Sequence, residues 1–297
     1  MANNSLWRTW LRALRPKQWV KNLLVLAPVL LSHQFTSESV VLRSLFAAGL
    51  FCLVSSAVYC INDIADVEVD RLHHAKRGRP FASGELTLRA GILTAIVFAA
   101  VALGLAWVFL GAPVTGLLAS YIAVALLYSA WLKKILIVDI VVLVFLYVTR
   151  LWVGGQATGI HISSWTFLFS LFFFTSLASL KRYAELHTRA SQAIVTSNRR
   201  AYRISDSMPI LVIGIACSLA SIVCVALYLG STVAAELYRR RILLGLACPI
   251  MLAWGIRLWM LGHRGRLRDE DPLLFALSDV WSYIAGALLI FLYALSI

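Results

Sequence analysis

Apolar stretches long enough to cross a hydrocarbon layer of about 30 Å recur along the full length of this chain, and no other feature constrains its fold as much. Spans are predicted at 23–36, 41–61, 90–110, 114–132, 135–154, 165–180, 209–229, 241–261 and 274–296. The first is the weakest, because its apolar core from Leu23 to Leu31 is short and contains Pro28. The expectation is an all-α, polytopic membrane bundle of about nine transmembrane helices. Hydrophobic residues make up 61% of the chain and charged residues only 14%, well outside the usual range of a soluble domain.

Charge placement supports the same topology. With a cytoplasmic N-terminus, segments 1–22, 62–89, 133–134, 181–208 and 262–273, together with Arg257, hold 22 of the 27 Lys and Arg residues. The outer segments hold only Arg43 and the Arg239–Arg241 run, the asymmetry of the positive-inside rule. The Arg239–Arg241 run breaks the pattern and reads as an interfacial anchor. A net charge of +13 therefore reports topology and contact with anionic lipid or phosphate, and no nucleic acid is expected as a partner. Residues 1–22 carry five basic groups without a cleavable apolar core; they read as a cytoplasmic interfacial segment, not a signal peptide. No linker or composition shift marks a boundary, so 1–297 is expected to be a single integral-membrane domain, multi-pass in the plasma membrane. Five scattered cysteines read as small packing residues.

The chemistry begins where the second span ends. Asn62, Asp63, Asp66 and Asp70 fall on one helical face, whereas Glu68 points away. Like charges at the membrane surface repel and lose solvation, and a divalent cation removes both penalties. Carboxylates that leave several Mg²⁺ positions open suit a metal–diphosphate complex. Lys76, Arg77 and Arg79 follow, just before Pro80 and Gly84, in a turn-rich segment able to fold back over the acids. They suit phosphate oxygens that the metal leaves uncovered.

A second polar excursion continues from span six as SLKRYAELHTRA. Lys181 and Glu185 are one helical turn apart, as are Glu185 and Arg189, with Arg182 on the same side and Tyr183 paired with His187. So many cations fit a ligand with two separated phosphates, with ordinary ion pairs at a helix end as the competing reading. In LRPKQWVKN, Lys17 and Lys21 would share a helical face and serve either general membrane anchoring or capture of a lipid phosphate. Asp139 and Arg150 are the ionisable groups deepest in an apolar run. About 16 Å separates them along a helix, so each is expected to line a polar cavity with Tyr147 rather than pair directly. His73 and His74 read as a solvated loop, and Gly154, Gly155 and Gly159 as an outer loop.

With these residues in view, the chain resembles the UbiA superfamily of intramembrane prenyltransferases over essentially its whole length. Asn62-Asp63-x-x-Asp66-x-x-x-Asp70 matches that family's first aspartate-rich motif. The resemblance implies a helical bundle around a central cavity with a lateral opening to lipid, and Mg²⁺ held with a donor diphosphate on the first motif. The family's second acidic motif is replaced here by Lys181-Arg182-Tyr183-Ala184-Glu185-Leu186. Together with Arg15-Pro16-Lys17-Gln18-Trp19-Val20-Lys21-Asn22, that departure resembles the decaprenyl-phosphate phosphoribosyltransferase branch. The resemblance implies transfer of 5-phosphoribose from 5-phosphoribosyl 1-diphosphate to a polyprenyl phosphate, toward a lipid-linked arabinose for the cell envelope. It also implies metal on Asp63, Asp66 and Asp70, and donor phosphates on Lys181 and Arg182. A prenyl transfer to an aromatic or other small acceptor is the alternative within the family. A transporter or non-catalytic scaffold is the alternative outside it.

Overall fold

The computed structural model describes residues 2–72, 76–192, 201–267 and 271–297, with side chains for 6–72, 76–188, 201–267 and 271–297. The expectations for His73 and His74, and for the Arg189 side chain, lie outside the described residues. Its elements are α1 (Ala2–Leu14), a 3₁₀ segment (Pro16–Leu26), α2 (Ala27–Leu31), α3 (Glu38–Ala65), α4 (Val67–Leu72), α5 (Leu88–Phe109), α6 (Ala112–Ala130) and α7 (Val138–Thr158). There follow α8 (Ser164–Gln192), α9 (Ser207–Leu229), α10 (Thr232–Leu237), α11 (Arg241–Leu244), α12 (Ala247–His263), α13 (Pro272–Ala276) and α14 (Val280–Ser296).

Seven helices among the described residues are long and apolar enough to cross a membrane, and α14 is a shorter apolar helix. Eight of the nine expected spans thus fall on apolar helices. The span expected at 23–36 does not. Pro16 and Pro28 each lack an N–H, and the chain there runs as 3₁₀ and short α pieces. Irregular backbone is tolerated at membrane depth where it is buried in protein, and here α3 side chains hold the segment, one of them through a backbone carbonyl. The Trp19 indole donates to Ser56 Oγ at 3.0 Å, the Asn22 amide to Ser55 Oγ at 3.1 Å, and Ser44 Oγ to the Val25 carbonyl at 3.2 Å.

The chain divides into two compact units, 1–132 with 149–162, and 133–148 with 163–297, so α7 contributes to both. No composition shift accompanies this division, which is why sequence reading sees a single stretch. In the first unit α3 is the central element, burying Ser44, Ala47, Leu50, Phe51 and Val54 through Val58. Small residues let neighbouring backbones approach. The clearest case is Gly154, where a β-carbon would lie 2.0 Å from the Val25 carbonyl oxygen. Gly154 and Gly155 are therefore helical packing positions within α7, not the outer loop expected from sequence; Gly159 alone takes a turn conformation, at φ +73. In the second unit α8 packs against α9 and α12. All five cysteines are free thiols.

Candidate active site

Two polar clusters, one in each unit, gather most of the charged residues singled out above. In the first unit, α3 passes into α4 with helical hydrogen bonding continued across Asp66: its N–H meets the Asn62 carbonyl at 3.0 Å, and its carbonyl accepts from the Asp70 N–H at 2.9 Å. The three aspartates therefore keep their helical phase. Asp63 and Asp70 are only 4% and 3% exposed, Asp66 is half-buried, and Glu68 faces solvent. Arg79 reaches both buried carboxylates, at 3.2 Å to Asp63 and 2.6 Å to Asp70. Arg15 adds two contacts to Asp63, at 3.2 and 2.5 Å.

Arg79 is delivered by the loop that follows α4. Phe81 plugs into a core of Ala13, Ala57, Cys60, Val67, Leu86 and Ala95, resting against Gly91. This anchor folds the segment back, as the turn residues led one to expect. Glu85 clamps the same loop to α1, accepting from Arg12 at 2.6 Å and from Thr9 at 3.0 Å. The Arg12 guanidinium, then the Thr9 hydroxyl, hold the Glu85 carboxyl below its ordinary range. Arg15 sits in a left-handed turn at φ 54 before Pro16, a conformation that costs a non-glycine residue about 1–3 kcal/mol. Its bonds to Asp63 offset that strain.

Lys76 is half-buried and Arg77 exposed, both in the turn before Arg79. The Asn62 amide oxygen accepts from Ser129 Oγ at 2.7 Å, so its carbonyl is turned toward α6. Lys17 and Lys21 do not share a face. In a 3₁₀ helix residues three apart align, and a spacing of four rotates by about 120°. Lys17 is accordingly exposed, while Lys21 is buried beside Asn22. Arg150 donates to Asn22 Oδ1 at 3.0 Å and to the Tyr121 hydroxyl at 3.1 Å, with the Phe51 and Tyr121 rings against its guanidinium.

In the second unit, Arg182 is 1% exposed and Asp139 is fully buried. Arg182 binds Asp139 through Nε and through Nη2 at 3.1 Å, and both Glu185 oxygens through Nη1 at 2.8 and 2.7 Å. This guanidinium holds Asp139 and Glu185, and the donor-phosphate role expected for it would require it to leave them. Glu185 likewise pairs with Arg182 rather than Lys181. Just before α7, Ile137 has φ +68, a strained value for a β-branched residue, and its N–H donates to the Tyr202 hydroxyl at 3.3 Å. Burial, then the negative charge of Asp139, push Tyr202 up to about 12.

Lys181 lies one residue earlier and faces elsewhere. Its ammonium is 3.2 Å from Asp271 and its side chain is 26% exposed. Asp271 also accepts from the Tyr147 hydroxyl at 3.3 Å and caps α13 through the Leu273 N–H at 3.1 Å. Within this unit Tyr147 thus meets Asp271, while Asp139 meets Arg182. Tyr183 is buried on another face of α8, its hydroxyl 2.7 Å from His263 Nδ1. Sequence reading missed Asp271, although Asp followed by Pro at a helix start is a capping signal. It also left Arg15 out of the acidic site.

Among the described residues, no three His, Cys, Asp or Glu side chains converge as a ready metal cage. The donor chemistry still fits Mg²⁺, which is held by one or two carboxylates plus water and substrate phosphates. Asp63 and Asp70 already converge on one cationic group, the Arg79 guanidinium.

A family model described as the UbiA prenyltransferase family matches residues 23–278. The chain is 36% identical to the uncharacterized protein y4nM of Sinorhizobium fredii, over 95% of this chain and 54% of that protein. It therefore spans about half the length of that relative. It is 31% identical to nodulation protein NoeC of Azorhizobium caulinodans, over 91% of this chain and 87% of that protein. Identity to the decaprenyl-phosphate phosphoribosyltransferase of Mycobacterium tuberculosis is 38%, over 59% of each chain. Among solved structures, a UbiA homolog from Archaeoglobus fulgidus bound to DMAPP and Mg²⁺ matches with a TM-score of 0.68 at 15% identity, covering 96% of this chain and 99% of that one. At that identity the likeness establishes the fold, an all-α multi-span membrane bundle.

Proposed function

The chain belongs to the UbiA prenyltransferase family, and from that premise we propose that it is a Mg²⁺-dependent transferase moving 5-phosphoribose from 5-phosphoribosyl 1-diphosphate to a polyprenyl phosphate. One observation carries the choice of donor. Where the family's second acidic motif would stand, this chain has Lys181-Arg182, and the acids around them, Asp139, Glu185 and Asp271, are bound to those two cations. Arg182 is 1% exposed between Asp139 and Glu185, whereas Lys181, at 26% exposure, can exchange Asp271 for a phosphate oxygen. The relatives named as phosphoribosyltransferases support the same reading.

In this reading Asp63, Asp66 and Asp70 hold the metal–diphosphate, with Asn62 at the edge of the set. When bound, Mg²⁺ neutralises charge on the departing diphosphate. Arg79 and Arg15, released from their carboxylates, join Lys76 and Arg77 on the phosphate oxygens. A lipid phosphate oxygen forms the new bond to ribose C1 as the C1–diphosphate bond breaks, and diphosphate leaves with the electron pair. The acceptor is already an anion, so no strong general base is required and alignment is the main task. Lys17 is assigned to the lipid phosphate. The N-terminus and both polar excursions are assigned to the cytoplasmic face, where the soluble donor arrives.

Purified protein with Mg²⁺, labelled 5-phosphoribosyl 1-diphosphate and a polyprenyl phosphate should yield a labelled lipid and free diphosphate, and EDTA should stop it. Absence of lipid product across several chain lengths in folded protein refutes the reading. Displacement of bound ligand by a prenyl diphosphate, but not by the phosphoribosyl donor, would favour ordinary prenyl transfer.

A further inference from the structure

Away from both clusters, a groove of about 250 Å³ runs between α9 and α12, walled by Leu211, Ile215 and Leu219 on one side and Ile256, Met260 and His263 on the other. Its base is rigid. The Trp259 indole covers Gly214, where a β-carbon would come within 2.3 Å of the ring, and its N–H is held by Ser176 Oγ at 3.2 Å. Gly255 keeps the groove deep beside Ser218. Both flanking helices belong to segments long and apolar enough to cross a membrane, and Ile256 and Met260 are exposed, so the groove opens toward hydrocarbon.

Its length is informative. Leu211 to Leu219 spans about 12 Å of helix and Leu252 to His263 about 16 Å, close to one leaflet of a layer about 30 Å thick. At one end His263 uses Nδ1 on the Tyr183 hydroxyl, which leaves Nε2 for another partner. There α12 stops in a Schellman turn, with Arg266 N–H on the Leu261 carbonyl at 3.0 Å, Gly265 N–H on the Gly262 carbonyl at 3.1 Å, and Gly265 at φ +68. Arg264 and Arg266 flank that glycine, both exposed.

We infer that this groove holds one acyl chain of an anionic membrane phospholipid, with the head-group phosphate met by Arg264, Arg266 and His263 Nε2. An apolar channel one leaflet long fits a single fatty chain, and the two arginines at its end favour a net-negative head group over a zwitterionic one. A polyprenyl tail of many isoprene units overruns one leaflet.

The test uses the full-length protein in detergent, offered dioleoyl phosphatidylglycerol or dioleoyl phosphatidylcholine and read by native mass spectrometry. One phosphatidylglycerol per chain should be retained, with phosphatidylcholine weaker by about tenfold or more. Gly255→Leu, which fills the groove, and the surface pair Arg264→Ala/Arg266→Ala should each lower phosphatidylglycerol retention by a similar factor. The arginine pair keeps the test decisive if Gly255→Leu fails to fold. Equal retention of the two lipids, retention indifferent to the arginine pair, displacement by a polyprenyl phosphate, or a dimer that Gly255→Leu dissociates would each overturn the inference.

Discussion

Replacing Arg182 by Met tests whether the second cluster is a structural lock or a ligand site. Arg182 is almost wholly buried and its contacts to Asp139 and Glu185 occupy all three guanidinium nitrogens. Removing one member of such a buried pair strands the others, at a cost of about 3–5 kcal/mol. That is a shift of more than about a hundredfold in the unfolding equilibrium. Asp139→Leu should cost a comparable amount. The double variant Arg182→Met/Asp139→Leu should recover most of the loss, because a buried ion pair exchanged for apolar groups of similar size is close to neutral. Glu185, being partly exposed, can then turn to water. Lys181→Ala provides the contrast, since its ion pair with Asp271 is partly solvated and surface pairs contribute about 0–1 kcal/mol. Reversible unfolding in mixed micelles titrated with SDS measures the four variants, and donor titration runs in parallel. The reasoning fails if Arg182→Met keeps wild-type stability while donor affinity falls, or if the two single losses simply add in the double variant.

The acidic face gives a second set of predictions: Asp63→Ala should lower turnover at least ~100-fold, from loss of a metal-binding carboxylate. Asp70→Ala should be similarly damaging, Glu68→Ala should be silent, and matched rates for these two would refute the face assignment. Gly154→Ala should cost about 1–3 kcal/mol or more in the same unfolding assay, since the added methyl must push back the Val25 backbone; wild-type stability would deny the close approach. Lys17→Ala should raise the acceptor Kd about ten- to a hundredfold with stability unchanged, whereas buried Lys21→Ala should lower stability, and equal behaviour of the two would contradict the 3₁₀ geometry. The Glu85 clamp has a pH dependence of definite sign. A carboxyl held below its ordinary value of 4.5 stabilises the folded state above that value and loses the contribution as pH falls below it. Protease nicking of the 76–87 loop should therefore rise in wild type below that value, and Glu85→Gln should abolish the dependence.

The residue pattern alone determined what depends on local periodicity and on the solvent. Apolar run length set eight of the nine expected spans, because lipid demands a continuous apolar helix and reads only composition and length. The shared phase of Asp63 and Asp70, with Glu68 opposite, was legible because helical spacing survives the α3–α4 junction. Tertiary structure decided which opposite charges meet. Any of several cations could have reached Asp63, and the choice of Arg15 and Arg79 rests on a left-handed turn before Pro16 and on Phe81 locking the loop. Arg182 meets Asp139 over a separation of 43 residues in the chain. Asp271 reaches Lys181 over a separation of 90 residues, which no local pattern encodes. The broken first span and Gly154 share one cause. Backbone that cannot complete its own hydrogen bonds is stable at membrane depth only where neighbours press close enough to supply partners, and that closeness is a property of the folded chain.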